Sequence, residues 1–285
     1  MLAPGEETYC NRVLPDHQNF DFLTDSAERA VVGLVGALAI AVFSRSRRAL
    51  TGDGAIAATV LGSLAAAAGW EWAALLIAFF VTGTLFSRMS VATKAAHTAG
   101  ITEKGGQRDF VQVLANGGLF GLLAVCSVVY GSDLFIIPAA GAIAAATSDT
   151  WATEIGTAAS GRARSILGFG EVQAGTSGAI SGSGTIAAVA GAIFIAGVAL
   201  AFGGAGDVAC AAIIGGIGGS FLDSIAGATV QSQRWCAQCG MSTERMTHTC
   251  GQHTTHQRGV SWLDNDGVNA LATVGGAAIG ALCLL

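Results

Sequence analysis

The sequence predicts an all-α protein, a polytopic bundle of about eight transmembrane helices. The composition is 52% hydrophobic and only 12% charged, whereas soluble domains have about 25% charged residues. The apolar residues form runs close to the ~20 residues that an α-helix needs to cross a bilayer. The chain also has 41 glycines and only 3 prolines, and small residues allow membrane helices to pack closely against each other.

The hydrophobic runs define eight candidate spans within one transmembrane domain, residues 27–285. The runs cover residues 27–43, 54–69, 72–86, 111–130, 134–158, 180–202, 206–228 and 263–285. The second and third runs are the shortest. Residues 1–26 are acidic and polar and lack the basic start and apolar core of a signal peptide. They predict a short exposed N-terminal tail.

Basic residues are found in alternate loops, which predicts the orientation of the chain. Lysine and arginine follow the first, third, fifth and seventh runs, and the loops after the second, fourth and sixth runs contain neither. Because cytoplasmic loops carry an excess of these residues, both termini are predicted to lie outside the cytoplasm. We therefore expect a multi-pass protein of the inner or plasma membrane whose functional face is cytoplasmic.

Polar residues in and beside the spans collect at this predicted cytoplasmic end. They are Asn116 in the fourth run, Asp149 and Glu154 in the fifth, Asp223 and Ser224 in the seventh, and Asp266 and Asn269 in the eighth. A charged group inside a bilayer costs several kcal/mol, so such residues are usually functional. Carboxylate and amide oxygens are ligands that Mg²⁺ prefers. One such residue at a helix end is more simply an interfacial group in contact with water, but four segments together predict a magnesium site.

Two glycine-containing segments are predicted at the same end. The stretch "TEKGGQRDFVQVLANGG", residues 102–118, places a glycine pair, a lysine and an arginine just before a helix, and "GTSGAISGSG", residues 175–184, precedes the sixth run. Backbone N–H groups at a helix N-terminus, together with basic side chains, form anion sites. Helix packing or a turn is the alternative explanation for these glycines. Combined with the magnesium ligands, they predict phosphate chemistry at the membrane surface.

A loop rich in cysteine and histidine, residues 229–262, separates the last two runs. The preferred metal ligands in it are Cys236, Cys239, His248 and Cys250. His253 or His256 is the alternative fourth ligand. Such ligands suit tetrahedral Zn²⁺, and a disulfide is disfavoured in a reducing cytoplasm. Because the loop has few apolar residues, a structural zinc ion would drive its folding. The alternative interpretation is that the cysteines are free and the loop is mobile.

The motifs of this chain resemble those of a known integral-membrane family. "QRDFVQVLANGG", "ATSDTWATEIG", "GTSGAIS", "GGSFLDSIAGATVQ", the C-x2-C loop and "WLDNDGVN" occur in the family's order across most of residues 30–285. That family includes the phytyl-phosphate kinases of plants and cyanobacteria and the animal transmembrane-protein-19 homologues. More distantly, the chain resembles CTP-dependent lipid and polyprenol kinases. One departure is Ser177, where the family's G-T-N-G pattern has asparagine.

The resemblance implies a Mg²⁺-dependent phosphotransferase. Such an enzyme would transfer a phosphoryl group from a nucleoside triphosphate, with CTP favoured, to an isoprenoid monophosphate such as phytyl or geranylgeranyl phosphate. The acceptor phosphate has a second pKa of about 6, so it needs no strong general base. We expect the isoprenoid phosphate, the nucleotide and the bilayer as partners, and no nucleic acid. The sequence predicts no particular oligomeric state.

This reaction assigns roles to the candidate residues. Asp149 and Asp223 are the leading Mg²⁺ ligands, and Glu154 and Asp266 are further ligands or hold metal-bound water. Lys104 and Arg108 clamp phosphate, while Asn116 and Asn269 orient phosphate or metal-bound water. The remaining predicted nucleotide and phosphate contacts are Gly105, Gly106, Gly175, Thr176, Ser177, Gly178 and Ser224.

Two other functions are compatible with the same polar residues. A secondary transporter would use Asp149 or Asp223 as a cation-coupling site, usually near the middle of the bilayer. A non-catalytic scaffold would use the Cys/His loop to bind a partner. The position of the carboxylates toward one face, beside basic loops, favours the enzyme.

Overall fold

A computed structural model describes residues 17–89, 100–101, 106–160, 162–168 and 170–285. The α-helices of this part are α1 (His17–Ser46), α2 (Gly52–Ala68), α3 (Trp70–Met89), α4 (Phe110–Tyr130), α5 (Ile136–Ser160), α6 (Gly182–Ala201), α7 (Gly206–Thr229) and α8 (Asn265–Gly280). Its strands are β1 (Arg162–Ser165), β2 (Glu171–Gln173), β3 (Ala179–Ile180), β4 (Gln233–Cys236), β5 (Met241–Thr243) and β6 (Thr255–Arg258). Short 3-10 turns occupy Asp133–Phe135 and Ala281–Leu284.

The described helices confirm a polytopic helical membrane protein. Seven of them are long and apolar enough to cross a bilayer. The eighth, α2, is a shorter apolar helix of 17 residues, in agreement with the short second run of the sequence. At ~1.5 Å per residue it is about 26 Å long, which is shorter than the ~30 Å hydrocarbon core. The bundle therefore has seven full-length candidate spans and one shorter apolar helix in the part of the chain that the structure describes.

The first helix extends into the segment 1–26 that was predicted to be an exposed tail. The chain is helical from His17 onward, and the rest of that segment lies outside the described residues. Asp25 and Arg29 form an ion pair one turn apart, and Arg29 also donates to the carbonyl oxygen of Ala67 on α2, at 3.4 Å. Extending an existing helix costs far less than nucleating one. Polar residues can therefore continue the helix beyond its apolar run.

Helix α5 occupies the centre of the bundle. It contacts α3, α4, α6, α7 and α8, and its alanine-rich first half is fully buried. Larger side chains fill the space toward α3 and α4, where the rings of Trp72 and Phe120 lie 5.3 Å apart. This arrangement places the second half of α5, which carries Asp149 and Glu154, among the ends of the surrounding helices.

Glycines allow α5, α7 and α8 to approach one another at backbone distance. A Cβ atom added to Gly141 on α5 would collide with the carbonyl oxygen of Gly276 on α8. A Cβ atom on Gly215 of α7 would lie 2.7 Å from the Cα atom of Gly141. Van der Waals packing of small residues is a principal source of helix association in membranes. The three helices that carry Asp149, Asp223 and Asp266 are therefore held close together.

Two three-stranded antiparallel sheets lie in the connections at the end where α5 and α7 finish. Their strand orders are β2-β1-β3 and β5-β4-β6. In the second sheet Trp235 pairs with Ser242 on one side and with Thr255 on the other. The prediction of an all-α chain missed the first sheet and described the second only as a loop. Strands of two to four residues are too short to show a recognisable alternation.

Candidate functional site

A polar cavity of about 540 Å³ opens at the end of the bundle that carries the two sheets. Helices α4, α5, α7 and α8, the N-terminus of α6 and residues from both sheets form its walls. Ligand sites typically have volumes of about 300–1,000 Å³. The polar cavity is thus large enough for a phosphorylated metabolite, and its walls come from segments that are far apart in sequence.

The polar cavity collects the predicted magnesium and phosphate residues. Those that line it are Gly106, Arg108, Asn116, Asp149, Glu154, Gly175, Thr176, Ser177, Gly178, Asp223, Ser224, Asp266 and Asn269. The other two, Lys104 and Gly105, lie outside the described residues. One cavity therefore contains every member of this predicted set that the structure describes.

Two carboxyl groups meet at the centre of this cavity. Asp149 of α5 and Asp223 of α7 lie within hydrogen-bonding distance of each other. The Oδ2 atom of Asp223 is buried and has no hydrogen-bond partner among the described residues. Two carboxylates this close repel each other unless they share a proton or a cation. The pair therefore has the charge and the free oxygen that a divalent cation needs.

The described lining of the polar cavity contains more acidic than basic side chains. Its carboxyl groups belong to Asp149, Glu154, Asp223, Glu244, Asp264 and Asp266, and its guanidinium groups to Arg108 and Arg234. Asp264 has a structural role, because its side chain accepts a 3.0 Å hydrogen bond from the backbone N–H of Gly267 and caps α8. A polyanionic ligand would need added cations to enter a cavity with this charge.

Arg108 supplies buried positive charge next to the carboxylates. Its guanidinium lies over the rings of Phe79 and Phe80, at 5.6 and 5.9 Å from their centroids. Burial lowers the pKa of Arg108, and the Glu154 carboxylate opposes this shift; the guanidinium remains protonated near neutral pH. Its Nη1 atom is buried without a hydrogen-bond partner among the described residues. Arg108 can therefore accept an anionic ligand without first breaking a bond at Nη1.

The glycine-containing turn between β2 and β3 and the start of α6 form one wall. Gly175 and Gly178 have positive φ values of 86° and 75°, a conformation that favours glycine. A Cβ atom on Gly178 would also collide with Ala228 of α7. The hydroxyl of Ser181 caps α6 by accepting from the N–H of Gly184 at 3.1 Å. The N-terminus of α6 thus opens on the cavity, where its dipole favours an anion.

Glu244 is a cavity residue that the sequence analysis missed. It follows β5 within the Cys/His segment, and its Oε1 atom accepts hydrogen bonds from the Ser177 hydroxyl at 2.6 Å and from Gln231 Nε2 at 2.9 Å. Gln112 and Arg234 also line the cavity and were not predicted. A single acidic residue among metal ligands has no characteristic spacing, so the sequence carried no signal for this contact.

The four preferred zinc ligands lie together in the structure. The ligand atoms of Cys236, Cys239, His248 and Cys250 all lie within 4.8 Å of one another. The Sγ atoms of Cys236 and Cys250 are 3.6 Å apart, close to the ~3.8 Å expected for two sulfurs bound at ~2.3 Å to one tetrahedral ion. A hydrogen bond with His248 lowers the pKa of Cys250 to about 6, which favours the thiolate. The cluster therefore fits a zinc ion.

The two alternative zinc ligands lie elsewhere on the same sheet. His253 pairs with Thr247 in an isolated bridge, and its Nδ1 atom is 3.4 Å from the Thr247 hydroxyl. His256 belongs to the exposed strand β6. Neither joins the cluster among the described residues. The folded sheet thus favours His248, whose Nδ1 atom is 3.3 Å from the Cys250 sulfur.

The sheet that carries the Cys/His cluster is attached to the rest of the chain next to the polar cavity. The Thr243 hydroxyl donates to the carbonyl oxygen of Gly100 at 2.7 Å. The backbone N–H of Glu244 donates to the carbonyl oxygen of Ile101 at 2.9 Å, and both acceptors lie in the connection between α3 and α4. On the opposite side, Arg258 of β6 donates to the carbonyl oxygen of Ala228 on α7. The cluster is therefore connected through strand β5 to the position of Glu244 in the cavity.

Comparison with known proteins identifies relatives across most of the chain. The family model described as "Integral membrane protein DUF92" matches residues 35–277. An uncharacterized membrane protein of Methanocaldococcus jannaschii is 32% identical over 256 residues, covering 89% of this chain and 94% of that protein. Protein PGR of Arabidopsis thaliana is 30% identical over 267 residues, covering 85% and 91%. No solved structure matches the chain.

Proposed function

The chain belongs to the integral membrane protein family DUF92, and we propose that it is a membrane kinase for isoprenoid monophosphates. In this proposal it transfers a phosphoryl group from a nucleoside triphosphate, with CTP favoured, to a substrate such as phytyl or geranylgeranyl phosphate. The product is the isoprenoid diphosphate. The observation that carries the proposal is the Asp149–Asp223 carboxyl pair, which shares one cavity with Arg108 and a helix N-terminus.

The residues of the polar cavity match the requirements of phosphoryl transfer. Catalysis of this reaction consists mainly of positioning and charge neutralisation, and the cavity offers groups for both. Asp149 and Asp223, with Asp266 at the start of α8, would hold Mg²⁺, and the ion would offset the negative charge of the phosphate groups. Arg108 would bind a phosphate oxygen through Nη1, and the N-terminus of α6 would bind another phosphate group.

No residue needs to act as a strong base in this scheme. The acceptor is a phosphate oxygen that is already largely deprotonated at neutral pH, since its second pKa is about 6. Glu154, which accepts a 2.9 Å hydrogen bond from Ser87, instead supports the charge of Arg108. In the reaction the acceptor oxygen forms a bond to the γ-phosphorus, and the bond from that phosphorus to the bridging oxygen breaks to release the nucleoside diphosphate.

The Cys/His cluster is proposed to hold a structural zinc ion. The four ligands would satisfy a tetrahedral ion and leave no position open for a substrate. The ion would stabilise strands β4 and β5, and through them the position of Glu244 in the polar cavity. We propose that this face is cytoplasmic, because the loops at this end carry the basic residues.

The test is an assay of the purified protein in detergent with Mg²⁺, geranylgeranyl or phytyl phosphate, and each nucleoside triphosphate in turn. Formation of the isoprenoid diphosphate is followed by chromatography. We expect turnover by the wild type, with Asp149→Asn slower by at least about 10²-fold. The matched control is Asp133→Asn, because Asp133 is exposed in the connection between α4 and α5. Folded wild-type protein that forms no diphosphate with any donor would overturn the proposal.

A cation-coupled transporter is the second candidate. Asp149 lies about three turns before the end of α5, which is deeper than an interfacial residue. Such a position resembles the intramembrane carboxylates of transporters. Absence of turnover together with Asp149-dependent flux of the isoprenoid phosphate or another anion into liposomes would favour this function.

A further inference from the structure

An apolar groove of about 240 Å³ lies between helices α1, α2, α3 and α4. Its walls consist almost entirely of glycine, alanine, and aliphatic or aromatic side chains, among them Val32, Leu61, Leu76 and Phe80. Helix α1 packs against α2, and the groove separates it from α3 and α4. Among the α1 residues of the groove, Val32 and Ile40 are exposed and Ala41 is buried, so the groove is open along part of its side.

The apolar groove joins the polar cavity at one place. Arg108, Gln112 and Asn116 line both spaces, and apart from Trp70 they are the only polar residues along the described wall of the groove. All three lie at or just before the first turns of α4. The two spaces therefore adjoin each other at these residues, and the site is apolar on one side of α4 and acidic on the other.

Arg108 occupies this junction. Its guanidinium lies over Phe79 and Phe80, which belong to the wall of the groove, and it interacts with Glu154 of the polar cavity. Its buried Nη1 atom has no hydrogen-bond partner among the described residues. A buried cation at the mouth of an apolar groove is complementary to an amphiphile with an anionic head group.

We propose that the apolar groove binds the hydrocarbon chain of the isoprenoid phosphate, with the phosphate at Arg108. This inference rests on the proposed kinase function and specifies how the substrate is selected. The groove extends along α3 from Phe80 back to Trp70, ten residues or about 15 Å. The length of the groove therefore limits the length of the hydrocarbon chain that the enzyme accepts. The open side of the groove allows the lipid to enter from the bilayer.

The structure provides a position at which the groove can be filled without a backbone clash. Gly36 of α1 lines the groove, and a Cβ atom added there would meet nothing within 4 Å. Gly197 of α6 is equally open but lines neither space, so Gly197→Phe is the matched control for Gly36→Phe. Leu76→Ala enlarges the groove from the side of α3.

The experiment compares kcat/KM for geranyl, farnesyl and geranylgeranyl phosphates in these variants. We expect Gly36→Phe to lower the ratio of geranylgeranyl to geranyl phosphate turnover by about tenfold or more, because a blocked apolar pocket discriminates by chain size. Leu76→Ala should shift the preference toward longer chains, and Gly197→Phe should leave the ratio unchanged. An unchanged ratio in both groove variants, with the enzyme still active, would overturn the groove assignment and leave the kinase intact.

A second readout does not depend on turnover. Geranylgeranyl phosphate with a photoactivatable group on its chain should crosslink to peptides of α1, α3 or α4, and Gly36→Phe should reduce the yield several-fold. Crosslinking in the groove without diphosphate formation would support the groove and overturn the kinase. Crosslinking that a diacyl lipid phosphate or a neutral lipid suppresses equally well would show a general lipid surface and overturn the groove assignment.

Discussion

The hydroxyl of Ser177 donates a 2.6 Å hydrogen bond to the carboxylate of Glu244. This bond joins the glycine-containing turn between β2 and β3 to the sheet that carries the Cys/His cluster. The family resemblance leads us to expect asparagine at position 177, and an asparagine side chain also has hydrogen-bond donors. The contact thus gives this position a structural role: it holds two walls of the polar cavity together.

Removal of this bond should weaken catalysis without unfolding the bundle. A hydrogen bond to a charged group contributes about 1.5–3 kcal/mol, so if the whole of it is lost from the transition state, Ser177→Ala should lower kcat/KM by roughly 10- to 150-fold. Ser177→Asn should retain more activity than Ser177→Ala. The control is Ser46→Ala, because Ser46 is exposed and its hydroxyl donates to the carbonyl oxygen of Phe43 within α1, its one hydrogen bond to the described residues. Equal rates for Ser177→Ala and the control would exclude a role for the bond.

Arg108 should be essential for phosphate binding. We expect Arg108→Gln to lower kcat/KM by about 10²- to 10³-fold, the usual effect of removing an electrostatic stabiliser. Arg108→Lys should be intermediate, because lysine keeps the charge but loses the planar stacking over Phe79 and Phe80. Arg88→Gln is the matched control, since exposed Arg88 contacts only the backbone of Arg47 among the described residues. Full activity of Arg108→Gln in a steady-state assay would remove this residue from the site.

The purified protein should contain about one zinc ion per chain, measured by elemental analysis. His248→Ala or Cys236→Ser should lose the ion, because both residues belong to the cluster. His253→Ala and His256→Ala should keep the ion, because neither histidine joins the cluster among the described residues. Loss of zinc should raise hydrogen exchange in strands β4 and β5 and lower turnover, while the helical content measured by circular dichroism stays unchanged. Zinc retained by His248→Ala and lost from His253→Ala would reverse the assignment.

The glycine contacts of α5, α7 and α8 should set the stability of the bundle. A Cβ atom at Gly276 would lie 2.6 Å from the Cβ atom of Ala145 and 2.7 Å from the carbonyl oxygen of Gly141. Overpacking of this kind costs about 1–3 kcal/mol, so Gly276→Ala should lower the midpoint of thermal unfolding in detergent. Gly197→Ala, where the added atom meets nothing within 4 Å, should leave it unchanged or raise it. A midpoint for Gly276→Ala at or above the wild-type value would contradict this account of the packing.

The sequence predicted the class of the protein and the order of its helices because both depend on local properties. Long apolar runs identify membrane helices wherever they occur, and the predicted run 54–69 agrees with α2, Gly52–Ala68. The start of α1 was less accessible, because an apolar run does not say how far the helix continues into the polar residues before it. The short strands were missed because two to four residues are too few to show a recognisable alternation of apolar and polar residues.

The sequence by itself determined which residues gather at one end of the bundle, since alternating spans place Asp149, Asp223 and Asp266 on the same side. Only the tertiary structure decided that Asp149 and Asp223 touch, that Glu244 enters the cavity, and that Arg108 joins it to the apolar groove. Contacts of this kind depend on how far each helix is rotated and how closely its small residues allow it to approach its neighbours. Those quantities result from packing among distant segments and leave no local pattern in the chain.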